Sequence, residues 1–257
     1  MVLVLITFAV LCAPAFGQTT AKDWIHKGVD LYGQGRYNET IQAFDKAIEI
    51  NPQYTDAWSR KGIVLCRLGK YEEAIQAFNK SIEINPQSAK DWADKGLALK
   101  GLGKHDEAIQ AFDKAIEIDP QYAKAWTNKG IAHKNLGEYD EAIKAYNRAI
   151  ELNPQDAIAW SNKGTIFGKV GRYDEALQAF NNTIEIDPRL AEAWCNKGAI
   201  FGLQGKYDEA LQAFNKAIEI NPQFAVAWAG KAFTLQSLGR MEDADESFAR
   251  AKELGYM

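Results

Sequence analysis

The chain has 257 residues, with 30 Lys and Arg against 34 Asp and Glu and a net charge of −4. That balance argues against general nucleic-acid binding, which draws on a basic surface. The length would ordinarily suggest two globular domains, but a strict internal period overrides that expectation.

Residues 1–17 stand apart from the rest. Val2 to Cys12 is an apolar-rich stretch, followed by Ala-Pro-Ala-Phe-Gly. Ala15 and Gly17 are the small residues a cleavage point needs, which leaves Gln18 as the new N-terminus. The segment reads as a secretory signal peptide without a Lys or Arg at its start, and the stretch is shorter than the roughly 20 residues of a membrane span. The expected location is therefore extracytoplasmic or secreted, with no membrane span after cleavage; a misassigned start would make the protein cytoplasmic. Residues 18–20 form a short lead.

From there every tryptophan falls on one ruler. Trp24, Trp58, Trp92, Trp126, Trp160, Trp194 and Trp228 are each 34 residues apart. The comb defines seven units: 21–54, 55–88, 89–122, 123–156, 157–190, 191–224 and 225–257. A fixed period of this length signals stacked supersecondary units, each unable to bury its apolar face alone. In each unit Trp, a small residue four later (Gly28, Gly96, Gly130) and an apolar residue seven later (Leu31, Leu99) mark one face of a first helix. Glycine eleven after Trp, such as Gly103 and Gly137, sits where that helix turns. Acidic pairs such as Asp140-Glu141 open the second helix at its positive end. An aromatic twenty after Trp (Phe112, Tyr146) fills the space between the two helices. Pro52, Pro86, Pro120, Pro154, Pro188 and Pro222 close the units, since proline cannot continue a helix.

These residues resemble the tetratricopeptide repeat (TPR), over residues 21–257. The resemblance implies an all-α, right-handed α-solenoid of helix-turn-helix TPR units, with first helices lining a concave groove and seven units approaching one turn. One departure recurs: Lys27, Lys61, Lys95, Lys129, Lys163, Lys197 and Lys231 stand where the family usually has Leu. In the last unit Asp245 and Lys252 replace Ile or Leu of the others, as a terminal cap requires, and the array reads as complete.

No catalytic arrangement can be placed. His26, His105 and His133 lie in different units and read as packing substitutions, and no phosphate-binding glycine loop exists. Cys66 and Cys195 are nearly four units apart, so neither a disulfide nor a metal site is implied. A non-enzyme without cofactor or metal is expected. The periodic lysines recur beside Glu49, Glu83, Glu117 and their equivalents. A scaffold task is favoured over a ligand-gripping ladder, with the lysine stems along apolar surface and the amines paired to glutamates; the glutamates could instead pair three residues back, with Lys46 or Lys80.

Function should lie where units differ on the groove face. Two residues after Trp stand His26, Arg60, Asp94, Asn128, Asn162, Asn196 and Gly230. Asparagine offers a donor and an acceptor to a bound main chain, and Asn128, Asn162 and Asn196 resemble the asparagine ladders of some superhelical repeat proteins; three solvated asparagines are the alternative. Units about 10 Å apart would meet a strand of ~3.3 Å per residue once about every third residue. On the same face Lys22, Arg60, Arg67, Lys90, Lys100, Lys124, Lys134, Lys169 and Arg189 outnumber Asp56, Asp94 and Glu192. A basic groove favours an acidic partner and speeds association. The carboxylate clamp of chaperone-tail-binding TPR domains is absent: Ala93/Leu97, Thr127/Ile131 and their equivalents supply no Lys-Asn pair. The sequence thus reads as a protein-interaction scaffold binding an extended peptide or protein, with a structural homo-oligomer of the cell envelope as the alternative.

Overall fold

A computed structural model describes residues 19–256; the expected signal peptide, residues 1–17, lies outside them. The described residues form fourteen α-helices and no strand, in two compact units that divide after Pro86. None of these helices is long and apolar enough to cross a membrane.

The first unit holds α1 (Ala21–Gly33), α2 (Tyr37–Ile50), α3 (Thr55–Arg67) and α4 (Tyr71–Ile84). The second holds α5 (Ala89–Gly101), α6 (His105–Ile118), α7 (Ala123–Leu136), α8 (Tyr139–Leu152), α9 (Ala157–Lys169), α10 (Tyr173–Ile186), α11 (Ala191–Leu203), α12 (Tyr207–Ile220), α13 (Ala225–Ser237) and α14 (Met241–Glu253). Odd-numbered helices are the first of each pair. In the second unit each first helix packs on its own second helix, α7, α9, α11 and α13 also pack on the second helix of the preceding pair, and α5, α7, α9, α11 and α13 touch in sequence. They form one continuous row.

Two kinds of turn join the helices, and each has a chemical cause. After α7, Gly137 adopts φ +81, a conformation that only glycine takes without cost. It lets Gly137 N–H reach the Lys134 carbonyl and Glu138 N–H reach that of His133, satisfying carbonyls the helix end would otherwise orphan. After α6 the chain turns through Asp119, whose Oδ1 accepts from Gln121 N–H at 3.0 Å, a side chain standing in for backbone. Proline then contributes its carbonyl as well as its stop signal: Pro120 O accepts from the Trp126 indole N–H at 3.3 Å, as Pro154 does from Trp160 and Pro188 from Trp194. The indole thereby ties α7, α9 and α11 to the end of the preceding pair.

Between the two helices of a pair, ring meets bare backbone. A Cβ on Gly96 would lie 2.6 Å from Phe112 Cε1, so α5 and α6 approach as closely as they do because Gly96 has no side chain. Phe44, Phe78, Phe112, Tyr146 and Phe180 are all buried to within 2%.

The periodic lysines are part of this scaffold, though not through the expected glutamates. All seven ammonium groups lie over the ring of their own tryptophan, 4.6–5.7 Å from the centroid, where the negative ring face attracts a cation. Lys61 and Lys129 also pair with Asp45 and Asp113 of the preceding second helix, at 2.7 and 2.6 Å. The glutamates turn back within their own helices: Lys46–Glu49, Lys80–Glu83, Lys114–Glu117 and Arg148–Glu151 pair three residues apart. A single turn brings those partners together, whereas the lysines belong to a different helix.

Candidate functional site: an unpaired cationic row in the second unit

On an α-helix turning about 100° per residue, positions two before, two after, five after and nine after Trp fall about 140–200° away from it. The face opposite the tryptophans therefore carries Lys90, Asp94 and Leu97 on α5; Lys124, Asn128 and Ile131 on α7; and Asn162, Thr165 and Lys169 on α9. Lys100 and Lys134, eight after Trp, stand at its edge and lean toward the next helix.

That lean brings the sequence's two signals into contact. Lys100 Nζ donates to Asn128 Oδ1 at 2.7 Å, and Lys134 Nζ donates to Asn162 Oδ1 at 2.6 Å. Each asparagine also donates from Nδ2 to its own helix, to Lys124 O at 2.8 Å and Ile158 O at 2.9 Å. One amide hydrogen and one oxygen lone pair remain on each. Asn128 and Asn162 are thus braced and only half engaged. Asn196 on α11 is half-buried and lacks this brace, because Gly168 occupies the position of Lys100 and Lys134.

The lysines of this row differ from most of those on the second helices. Among the described residues, Lys90, Lys100, Lys124, Lys134 and Lys169 join no ion pair, while most second-helix cations are paired within their helix, as in Lys46–Glu49, Lys80–Glu83 and Arg250–Glu253. Burial, and then repulsion from Lys134, lowers the pKa of Lys100. Burial, and then repulsion from Lys169, lowers that of Lys134. Each ammonium senses the next along the row. Lys169 Nζ lies 5.8 Å from the Tyr139 ring.

Asp94 is the negative exception. Burial pushes its carboxyl up to about 6 against the pull of Lys90 and Lys124, with Asp91 adding to the rise. Its Oδ2 is buried without a hydrogen-bond partner. An acid with a raised folded pKa destabilises the fold while ionised, so the penalty acts above about pH 6 and is relieved as pH falls toward the unfolded value of 3.8. Asp94→Asn should therefore be more stable than the parent near neutral pH, by on the order of 1–3 kcal/mol, with the two converging by about pH 4. Denaturant midpoints at the two pH values check this; a gap that widens in acid contradicts it.

Other residues expected in the groove lie in the first unit or in a turn. Arg60 is on α3 of the first unit, where its Nε is held by both Asp56 carboxylate oxygens at 2.8 Å. Arg67, on the same helix, donates to Tyr37 Oη at 2.8 Å. Arg189 sits exposed in the turn between α10 and α11 rather than on a first helix. Past Lys169 the face turns apolar, with Leu203 on α11 and Phe233 on α13 exposed. Sequence reading passed over these two because they occupy columns whose other members are mixed; the signal available was a large apolar residue at a groove position in each of two consecutive units.

Helix pairs stacked in register, with first helices in a row, define a helical-repeat solenoid. Family profiles described as tetratricopeptide repeat match residues 21–54, 55–88, 123–156, 157–190 and 191–224, and again 77–110 and 213–246; one described as TPR repeat matches 96–137. The chain belongs to the tetratricopeptide-repeat family. Among solved structures it resembles a tetratricopeptide repeat protein from Parabacteroides merdae, with a TM-score of 0.72 at 18% identity over 93% of this chain and 94% of that one. It also resembles YrrB, described as a TPR protein with an unusual peptide-binding site, with a TM-score of 0.59 at 27% identity over 73% and 96%. MamA matches with a TM-score of 0.59 at 24% identity over 62% and 93%. No curated protein matches the sequence.

Proposed function

We propose that the second unit is a non-catalytic interaction scaffold that binds an extended, acidic protein segment across α5, α7 and α9, in a protein exported by the segment at residues 1–17. The observation that carries this reading is the row of unpaired lysines. Among the described residues Lys90, Lys100, Lys124, Lys134 and Lys169 join no ion pair, and repulsion from Lys134 and from Lys169 adds to burial in lowering the proton affinity of Lys100 and of Lys134 respectively, a repulsion that an acidic ligand would relieve. Asn128 and Asn162 supply the free amide hydrogen and lone pair that a main chain needs, at neighbouring helices about 8–10 Å apart. Family membership supports an interaction role, and YrrB is a relative of similar fold with a peptide-binding site. The segment is held along its length rather than by a terminal carboxylate, since Ala93/Leu97 and Thr127/Ile131 offer no Lys-Asn pair.

The test is fluorescence anisotropy with a labelled peptide of roughly twelve residues alternating Asp and Ser. Raising salt from about 50 to about 500 mM should weaken binding at least tenfold, because exposed charges are screened within a few ångströms at the upper value. Equal binding of an Asn-Ser peptide, or binding insensitive to salt, would overturn the proposal.

A further inference from the structure

The same face changes character along its length. Lys169 on α9 is its last lysine; beyond it Glu192 on α11 is exposed, Leu203 is 62% exposed and Phe233 is 52% exposed. Large apolar side chains left this open and adjacent mark a contact surface. They rim a recess of about 410 Å³ between α11 and α13, bounded also by Ala199, Tyr207 and the Phe214 ring.

Two glycines make the recess. Gly230 stands in the column of Asp94, Asn128, Asn162 and Asn196. A Cβ there would lie 2.4 Å from Phe214 Cε1, while the same ring is 3.1 Å from a Cβ on Gly198, against 2.6 Å for Phe112 and Gly96. The Phe214 ring therefore still packs against Gly198 of its own helix pair and also lies under the bare backbone of α13. Gly202 stands in the column of Lys100 and Lys134, and a Cβ there would meet nothing within 4 Å. Where the earlier pairs place a lysine braced on an asparagine, this end places open space over an aromatic floor.

Building on the acidic-segment reading above, we propose that the partner is a two-part extended segment: acidic residues over α5, α7 and α9, then one bulky apolar side chain seated in the recess between α11 and α13. Charge complementarity sets the polarity. Lysines flank the first part, while Glu192 disfavours further acidic residues near the second. The recess lies about two and a half helix spacings beyond α7, or roughly 20–25 Å at 8–10 Å per spacing. At ~3.3 Å per residue the apolar side chain follows the acidic centre by about seven residues.

The test uses three labelled peptides of roughly fourteen residues, each made in both chain directions: an Asp-Ser block with Phe about seven residues from its centre, the same block with Ala for Phe, and the Phe peptide with Asn for Asp. The first should bind at least tenfold tighter than either of the others, in one direction. Gly202→Gln covers the recess with a good helix former where the Cβ has room; it should abolish the tenfold advantage of Phe over Ala and leave the Ala peptide's affinity unchanged, with thermal unfolding confirming the fold. Equal affinity of Phe and Ala peptides, or an advantage that survives Gly202→Gln, would overturn this inference and leave the acidic groove standing. Failure of every acidic peptide to bind would overturn both.

Discussion

Replacing Phe112 by Ala should lower unfolding stability by about 3–5 kcal/mol, the range for removing a buried aromatic. The ring is 0% exposed and lies between α5 and α6 against Gly96, whose backbone cannot extend a side chain into the void. Because a solenoid's stability is close to a sum of pair and neighbour terms, the loss should appear first as weakened protection of α5, α6 and α7. Urea unfolding followed by circular dichroism, with hydrogen exchange to locate the loss, checks this; a cost under about 1 kcal/mol contradicts the packing described. Gly96→Ala gives the complementary result. Its Cβ would arrive 2.6 Å from Phe112 Cε1 and should destabilise, whereas Gly202→Ala, with nothing within 4 Å, should stabilise α11 by up to about 1 kcal/mol through helix propensity.

The second large effect concerns binding. Lys100→Glu, Lys134→Glu and Lys169→Glu together should weaken the Asp-Ser peptide at least ~100-fold at low salt, since like charges brought together across an interface cost several kcal/mol. The neutral triple change to Gln should cost less, on the order of tenfold, and circular dichroism should report the same helix content for all three proteins. Reversing scaffold cations instead, as in Lys46→Glu and Lys80→Glu, removes pairs that sit on the surface of second helices and should leave the peptide's affinity within about twofold. An equal loss from both sets would mean that net charge alone attracts the peptide, without a located site.

The helix pairs were legible because their determinants are local and repeated: tryptophan every 34 residues, glycine at each turn, proline at the close of the first six pairs. Membership of the repeat family followed from the same residues. The site was legible only in part. Asn128, Asn162, Lys100 and Lys134 stood out singly, but their pairing spans 28 residues and two helices, and no local pattern announces it. The periodic lysines were expected to meet glutamates, yet each lies over the indole one turn before it, a contact set by rotamer rather than by residue type. The recess at Gly202 and Gly230 was hidden for a different reason. It exists because side chains are missing and because the Phe214 ring fills the gap under Gly230, and a sequence displays what is present far better than what has been left out.

The most direct measurement follows the side-chain amide resonances of Asn128 and Asn162, with the methyl groups of Ile131 and Thr165, while the Asp-Ser peptide is titrated in. The account predicts shifts confined to these groups and their neighbours on α5, α7 and α9, with the indole signals of Trp92, Trp126 and Trp160 on the far side unmoved. Shifts at the indoles with silent asparagines would place the ligand on the opposite face and contradict it.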